Sequence, residues 1–592
     1  MTGTAPLPRH TLPADAFDAL SAGGGDRPTI AVLRSAQLSR RLLQLRAVRD
    51  LAAGTAHAGQ VRAAYDLLAQ AQRTRPEAVT SALLRPQVGS WAARTLRRLR
   101  TARPDPAALA ADLRHLGAIA AAALVAAGDD FSAEVPLRGA RLVLPGIGAL
   151  LLDGAAGGTG LLRRTGGALV LRSSGRTTAL PGDLSAEAPH WLPLRRLAAV
   201  CDGERLELSI EDIDPYRDGH GLAVADRLPH DALRRWRRKL ADAWELLVRH
   251  HPGYAQGIAA GLRELVPLAA APDGRDRSAT AGDSFGSTAL SEPADGTALA
   301  VALLHEFQHT KLSALLDLVA LHDHPAGNRL YAPWRDDPRP LAGLLQGVYA
   351  HAGVVDFWRT QRTLVQGPAA RYADFQYARW YRPTCEAARA VADSGLLNAY
   401  GRRFVAGLRR RLAELDAPVP EQAGRLAEDA AADHEVTWRL RHLRPDPGAV
   451  EELAERWLER RPPAARVPVS VAPDPDGTVL GGRIELLAGL LERPGSPPPG
   501  AEPLSVPDRA LLAGDHRAAE SGYLRLIAAD PSLTSAWAGL AVARGRGRSA
   551  ADPLRTRPEV VAGLYRRLRE RGRPAEPARL ADWLSAPADA PE

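Results

Sequence analysis

Leu303-Leu304-His305-Glu306-Phe307-Gln308-His309 is the stretch on which the reading of this chain turns. It lies inside an apolar run from about Leu299 to Leu321, which predicts a helix. On a helix, His305 and His309 project from one face, a geometry that lets two imidazoles share a first-row metal ion. Glu306 follows His305 directly, within reach of a metal-bound water or of a ligand it could orient. An H-E-x-x-H string arises by chance in a long chain, so its flanks must carry part of the weight. Asp295 or Thr297 is placed to cap the helix. Downstream the helical pattern continues past Lys311 and Asp317 and is expected to stop near His322, before Pro325 and Gly327.

Working outward, the next strong helix pattern is Leu341 to Arg359. His351 shares a face there with Val348, Val355 and Trp358, and Gly347 lies one turn earlier. A lone histidine on an apolar face is more often a core residue than a ligand. Two features raise the ligand reading: this helix follows the motif helix after one connecting loop, and Gly347 would let the two helices approach closely. His351 is therefore the candidate third metal ligand. The loop triplet His322-Asp323-His324 reads better as a cap or solvated turn. Upstream, Ser284 to Ser291 reads as a short strand, expected to be an edge on which a peptide could align through main-chain hydrogen bonds. Ala271 to Ala281 before it reads as a loop.

The chain has 592 residues and is 45% hydrophobic, enough for several cores and a soft expectation of three or four domains. No apolar run of about 18 residues or more suggests a membrane span. The N-terminus lacks a basic segment followed by an apolar one, so the expected location is cytoplasmic, with no membrane partner. Cys201 and Cys385 are the only cysteines, too few for a disulfide framework or a Cys-rich zinc site. The net charge of +8 comes almost wholly from Arg, since Lys239 and Lys311 are the only lysines. Basic residues are interspersed with acidic ones and no nucleic-acid motif occurs, so no nucleic-acid partner is expected.

The fold expected is α+β and predominantly helical. Residues 1–130 read as an N-terminal helical region, with helices near Ile30–Ala53, Gln60–Thr74, Val88–Arg98 and Pro106–Ala127. Residues 131–215 read as a small antiparallel β-rich module whose Gly154 and Gly166-Gly167 runs are hairpin turns. No P-loop pattern is present. Residues 216–460 read as the H-E-x-x-H metal-binding catalytic domain, 461–505 as a Pro-rich linker region, and 506–592 as a helical, tetratricopeptide-like region with its turn at Pro531.

The residues alone leave the metal open. With zinc, Glu306 would be the general base of a metallopeptidase. With ferrous iron, three protein ligands leave room for a bidentate 2-oxo acid and dioxygen. Two common peptidase extensions are missing: positions 312 and 315 are both Leu, and Val355 stands where a downstream Asp would be expected. A third class is a non-catalytic scaffold that binds a peptide.

Asp283-Ser-Phe-Gly-Ser-Thr-Ala-Leu, Leu304-His-Glu-Phe-Gln-His-Thr-Lys-Leu-Ser-Ala-Leu-Leu-Asp-Leu, and the block from Trp334-Arg-Asp-Asp-Pro-Arg-Pro to Gly-Val-Tyr-Ala-His351 and Asp-Phe-Trp-Arg together resemble the H-E-x-x-H-type peptide β-hydroxylases. The resemblance spans most of residues 10–410 plus the tetratricopeptide-like tail. It implies a zincin-like catalytic domain using Fe(II), 2-oxoglutarate and dioxygen on a ribosomally made precursor peptide, with a maturase as a partner protein. By matching position, His305 and His309 would be iron ligands and His351 the third candidate, with Glu306 at the site. Three histidines would depart from the usual two-His-one-carboxylate set. The distal carboxylate of 2-oxoglutarate needs a cation. Arg335 and Arg339 are the candidates nearest the site in sequence, and Arg379 and Arg382 come after them. No Cys-x3-Cys-x2-Cys cluster is present, so the chain is not itself a radical-SAM enzyme.

Overall fold

The computed structural model describes residues 10–154, 158–271, 276–323, 329–463, 467–472, 504–545 and 551–586, together with Arg483 and Leu491. The fold is α+β and mostly helical, with small sheets. It divides into two compact units, Met1–Leu321 and His322–Glu592. That boundary falls inside the span 216–460 read from sequence as one domain. Most of the Pro-rich region at 461–505, along with His324, Pro325 and Gly327, lies outside the described residues.

The first unit opens with helices close to those expected: Ala14–Ser21, Arg27–Ala52, Ala58–Thr74, Pro76–Leu83, Pro86–Arg100 and Pro106–Ala127. Several start with Pro in the first turn, where its missing N–H costs nothing. Pro106–Ala127 is long and apolar enough to cross a membrane. Here its Leu116, Ile119 and Leu124 are buried in one core with Trp91, Val135, Leu162 and Trp191. It stops at Gly128, which takes a left-handed φ of +83° and donates back to the Leu124 carbonyl.

Three sheets follow. Phe131–Leu137, Gly158–Thr165, Ala168–Ser173 and Arg176–Ala179 form one antiparallel sheet, with Gly166 and Gly167, both at positive φ, turning its middle hairpin as expected. Arg141–Leu144, Gly148–Leu151 and Trp191–Pro193 form a second. The third is mixed rather than antiparallel. Its order is Ser278–Ala279, Ser287–Leu290, Glu264–Pro267, Glu204–Ile210, Arg195–Cys201. The two inner pairings onto Glu264–Pro267 are parallel and the two outer ones antiparallel. Parallel pairing needs a long crossover. Helices His230–His250 and Pro252–Gly261 supply it between Glu204–Ile210 and Glu264–Pro267.

This sheet corrects two expectations. Ser287–Leu290 is an interior strand, fully buried between two neighbours, and the sheet's edge is Ser278–Ala279, inside the stretch read as a loop. A Pro at 286 or 287 would therefore break the sheet itself and cannot serve as a probe of peptide docking. Gly286 is at φ +88°, and a Cβ there would lie 2.9 Å from the Gly261 carbonyl oxygen.

Glu264 stands between Ser209 and Ser287 in the register of this sheet and is fully buried. Gln87 donates to its Oε1, while Oε2 has no partner. Burial, with the Glu211 carboxylate adding, raises its pKa well above the ordinary range. The unfolded chain gives up this proton earlier than the folded one. The group's contribution is thus complete in acid and is lost as pH rises through the folded value. Glu264→Gln is expected to melt higher than wild type at about pH 9, by the equivalent of about 1–3 kcal/mol, and to match it near pH 5. Parallel pH–melting curves for the two proteins would contradict this.

Among its described residues the second unit is mostly helical, and Leu443–Pro445 pairs with Val469–Val471. Its helices include Leu341–Gln361, Gly367–Asp393, Ala399–Glu414 and Glu421–His442. Towards the C-terminus, His516–Ala529 and Thr534–Gly545 form a helical hairpin around Pro531. Gly539 lets the buried Tyr523 ring lie directly on the second helix, since a Cβ would meet it at 2.3 Å.

Candidate metal centre

The motif helix is Gly296–Leu316. Asp295 caps it, accepting from the Ala298 N–H at 2.8 Å. The helix ends earlier than the sequence pattern suggests, at Leu316 rather than near His322. It is buried nearly all round, so it carries no amphipathic stripe. Phe307 fits against Gly257 and Gly261 of Pro252–Gly261, where a Cβ on Gly261 would come within 2.5 Å of the ring. On the N-terminal side, Lys311 donates to the carbonyls of Gly23 and Gly24, each at 2.7 Å, and Gln308 reaches Gly23 at 3.2 Å. Burial drops the Lys311 pKa to about 7.

His305 and His309 stand on one face, as their spacing requires, with Nε2 atoms 3.2 Å apart and ring centroids 4.8 Å apart. Two imidazole nitrogens each about 2.1 Å from a common ion, at roughly 90–110°, sit about 3.0–3.4 Å from one another. The observed pair fits that spacing. Burial, then His309, holds the His305 pKa down to about 4 against the field of Glu306. Its imidazole is therefore neutral near pH 7, the form that binds metal. Among the described residues, no group of three or more His, Cys, Asp or Glu is assembled for a metal ion.

Glu306 points into the sheet edge. Ser278 Oγ donates to its Oε1 at 2.6 Å and Thr280 Oγ1 to its Oε2 at 2.7 Å. The side chain is 2% exposed. The carboxylate thus bolts the motif helix to the edge strand. Sequence reading missed both hydroxyl partners. Their signal was the alternation Ser278-x-Thr280, which on a strand puts both side chains on one face. Lys311 was also passed over, although a lysine in so Arg-rich a chain marks a position that a guanidinium would not fit.

His351 is in the second unit, on Leu341–Gln361, and is 7% exposed. Its Nδ1 lies 2.9 Å from the Gly347 carbonyl, which can only accept, so Nδ1 carries a proton. The ring stacks on Trp334, with centroids 4.2 Å apart and planes at 15°, and meets Trp380 at 4.9 Å. Gly347 has a different use from the one its position suggested. It admits the Trp334 indole, whose Nε1 would be 2.2 Å from a Cβ there. Arg335 and Arg339 both bond Asp337, at 3.0 and 2.9 Å, and Arg382 pairs with Glu386 and Glu428. Of the loop triplet, His322 bridges to Leu397, and Asp323 accepts from Asn398.

No family model matches the chain, and no curated protein matches it.

Proposed function

We propose that this protein is a 2-oxoglutarate-dependent peptide hydroxylase whose zincin-like site uses His305 and His309 to hold Fe(II). Its product would be a precursor peptide hydroxylated at a side-chain β-carbon. The observation that carries the reading is the same-face imidazole pair with nitrogens 3.2 Å apart, beside a carboxylate fixed by two hydroxyls. When bound, iron with 2-oxoglutarate and dioxygen supplies the oxidising power, one oxygen atom going to the peptide and the other to succinate as carbon dioxide leaves. His305 and His309 bind and orient, and burial keeps His305 unprotonated. His351, named from sequence for the third position, holds its Nδ1 against the Gly347 carbonyl. Arg335 and Arg339, named from sequence for the cosubstrate, already share Asp337. The edge strand Ser278–Ala279 would align the peptide, and the tetratricopeptide-like hairpin at 516–545 would serve binding of the peptide or of a maturase.

Glu306 favours this reading over a zinc metallopeptidase. Both Glu306 oxygens accept a hydrogen bond from a hydroxyl, which fixes the carboxylate against the edge strand. We therefore assign Glu306 a positioning role. Glu306→Gln is expected to lower metal affinity by roughly 10–100-fold, as loss of an outer partner does, with activity returning as Fe(II) is raised. If activity instead stays about 10²–10⁴-fold down at saturating metal, Glu306 is a base. The function itself is tested by incubating anaerobically purified protein with Fe(II), 2-oxoglutarate and the peptide encoded beside its gene, then admitting air. A gain of one oxygen in the peptide with succinate formed supports the proposal. Oxygen-independent cleavage would establish the peptidase, and binding without turnover a scaffold.

A further inference from the structure

The mixed sheet of the first unit has two edges. One, Ser278–Ala279, carries a hydroxyl that anchors Glu306, and the other is Arg195–Cys201. This second edge is open. Ser209 N–H donates to the Arg263 carbonyl at 2.9 Å and Glu211 N–H to the Leu265 carbonyl at 2.8 Å. The odd-numbered residues of Glu204–Ile210 thus bond inward, towards Glu264–Pro267. Its even-numbered residues bond the other way, to their register partners Arg195, Leu197, Ala199 and Cys201. The N–H and C=O groups of Arg196, Ala198 and Val200 therefore point out of the sheet, and among the described residues they make no hydrogen bond.

Natural sheets blunt such an edge with Pro, a bulge or unpaired charge. This strand holds no Pro, and its pairing runs residue for residue without a bulge. Arg196, Ala198 and Val200 are all exposed, Val200 at 65%. The charges on the strand are already paired. Arg195 bonds Asp212 and the Leu228 carbonyl, and Arg196 meets Glu207 at 3.2 Å. The rest of the edge is Leu197, Ala198, Ala199 and Val200, small enough at its centre for another strand to come alongside.

We propose that Arg195–Cys201 pairs antiparallel with the same strand of a second copy of this chain, about a two-fold axis at Ala198. In that register Ala198 faces Ala198, Arg196 faces Val200, and Leu197 faces Ala199 of the second copy, so every outward N–H and C=O finds a partner. The sequence favours this register over its neighbours. Moving the axis either way leaves outward groups beyond the end of the other strand, and placing it at Arg196 sets two guanidiniums face to face. Pairing about Ala198 puts no like charges opposite one another. A substrate peptide is the poorer occupant. Laid on this edge it would lie four strand spacings, about 19 Å, from Ser278–Ala279 and the Glu306 anchor. The inference does not rest on the proposed function, because it needs neither metal nor peptide.

The experiment uses the full chain. Sedimentation velocity at rising protein concentration should show wild type passing from monomer to dimer. Ala198→Pro removes only an outward N–H, the place in a strand where Pro is tolerated, and should stay monomeric with a melting temperature near that of wild type. Val200→Lys sits at an exposed position opposite Arg196 of the second copy. It should weaken association at least tenfold, and it remains informative if the Pro variant does not fold. Ala198→Cys tests the register. Across the axis its Cα atoms would be about 5.5 Å apart, within disulfide reach, so mild oxidation should give a covalent dimer. Val200→Cys is the control, since its two copies would stand about 13 Å apart and should not link. Wild type, which keeps Cys201 and Cys385, is the blank. The proposal is overturned if wild type stays monomeric at every concentration, or if both Ala198→Pro and Val200→Lys dimerise as wild type does. Linking by Val200→Cys and not by Ala198→Cys would overturn it as well. A monomeric wild type whose Ala198→Pro variant loses affinity for the precursor peptide would give this edge to the peptide instead.

Discussion

Under the proposed function, His305→Ala is expected to lose the metal and abolish hydroxylation. The reason is the pairing of the two nitrogens. With Nε2 atoms 3.2 Å apart, His305 and His309 each provide what the other lacks, and either imidazole alone is an ordinary surface-strength ligand. Loss of an outer-sphere partner already costs roughly 10–100-fold in metal affinity, so loss of a direct ligand should exceed that. The measurement is metal content after dialysis against limiting Fe(II), paired with succinate formation. His305 is half-buried and the helix holding it is secured elsewhere, by the Asp295 cap, by Phe307 on Gly261, and by Lys311 on Gly23 and Gly24. The variant should therefore melt close to wild type, and a retained melting temperature with lost metal would identify a ligand. Full hydroxylation by His305→Ala would remove His305 from the centre altogether.

How much of this could be read from sequence depends on the range over which each feature is decided. Helices with Pro at the start were legible because capping is local: Pro106–Ala127 was expected with those limits and has them. So were the Gly166-Gly167 turn and the Asp295 cap. The same-face placement of His305 and His309 followed from helical periodicity alone. The mixed sheet was not legible, because parallel pairing of Glu264–Pro267 with both Glu204–Ile210 and Ser287–Leu290 is decided by packing far along the chain. A four-residue strand, Glu-Leu-Val-Pro, offers too little alternation to announce itself, and the edge strand Ser278–Ala279 offers less. The partners of Glu306 went unseen for the same reason. Arg335 and Arg339 could be named among several arginines, but only the structure shows that they share Asp337.

Gly89→Ala is expected to destabilise the first unit by about 1–5 kcal/mol, against the usual sign for that substitution in a helix. Gly89 lies within Pro86–Arg100, where alanine would ordinarily gain about 1 kcal/mol. Here a Cβ would stand 2.0 Å from the Asp283 carbonyl oxygen and 2.1 Å from Arg41 Nη2. Those two atoms are themselves bonded at 2.6 Å, and Arg41 is 2% exposed. Neither can yield easily. Overpacking typically costs about 1–3 kcal/mol, and parting Arg41 from its acceptor adds about 1–3 more. The neighbours of Gly89 tighten the same joint, Gln87 donating to Glu264 and Ser90 sharing a hydrogen bond with Ser284. Any retreat of Asp283 would also strain the turn into Ser287–Leu290, which pairs with the edge strand holding Glu306. The control is Gly59→Ala on Ala58–Thr74, where a Cβ would meet nothing within 4 Å and a small gain in stability is expected. Scanning calorimetry of the two variants should move their melting temperatures in opposite directions. A Gly89→Ala protein that melts with or above wild type would mean that this helix does not press on Asp283, and the route from the N-terminal helices to the Glu306 anchor would have to lie elsewhere.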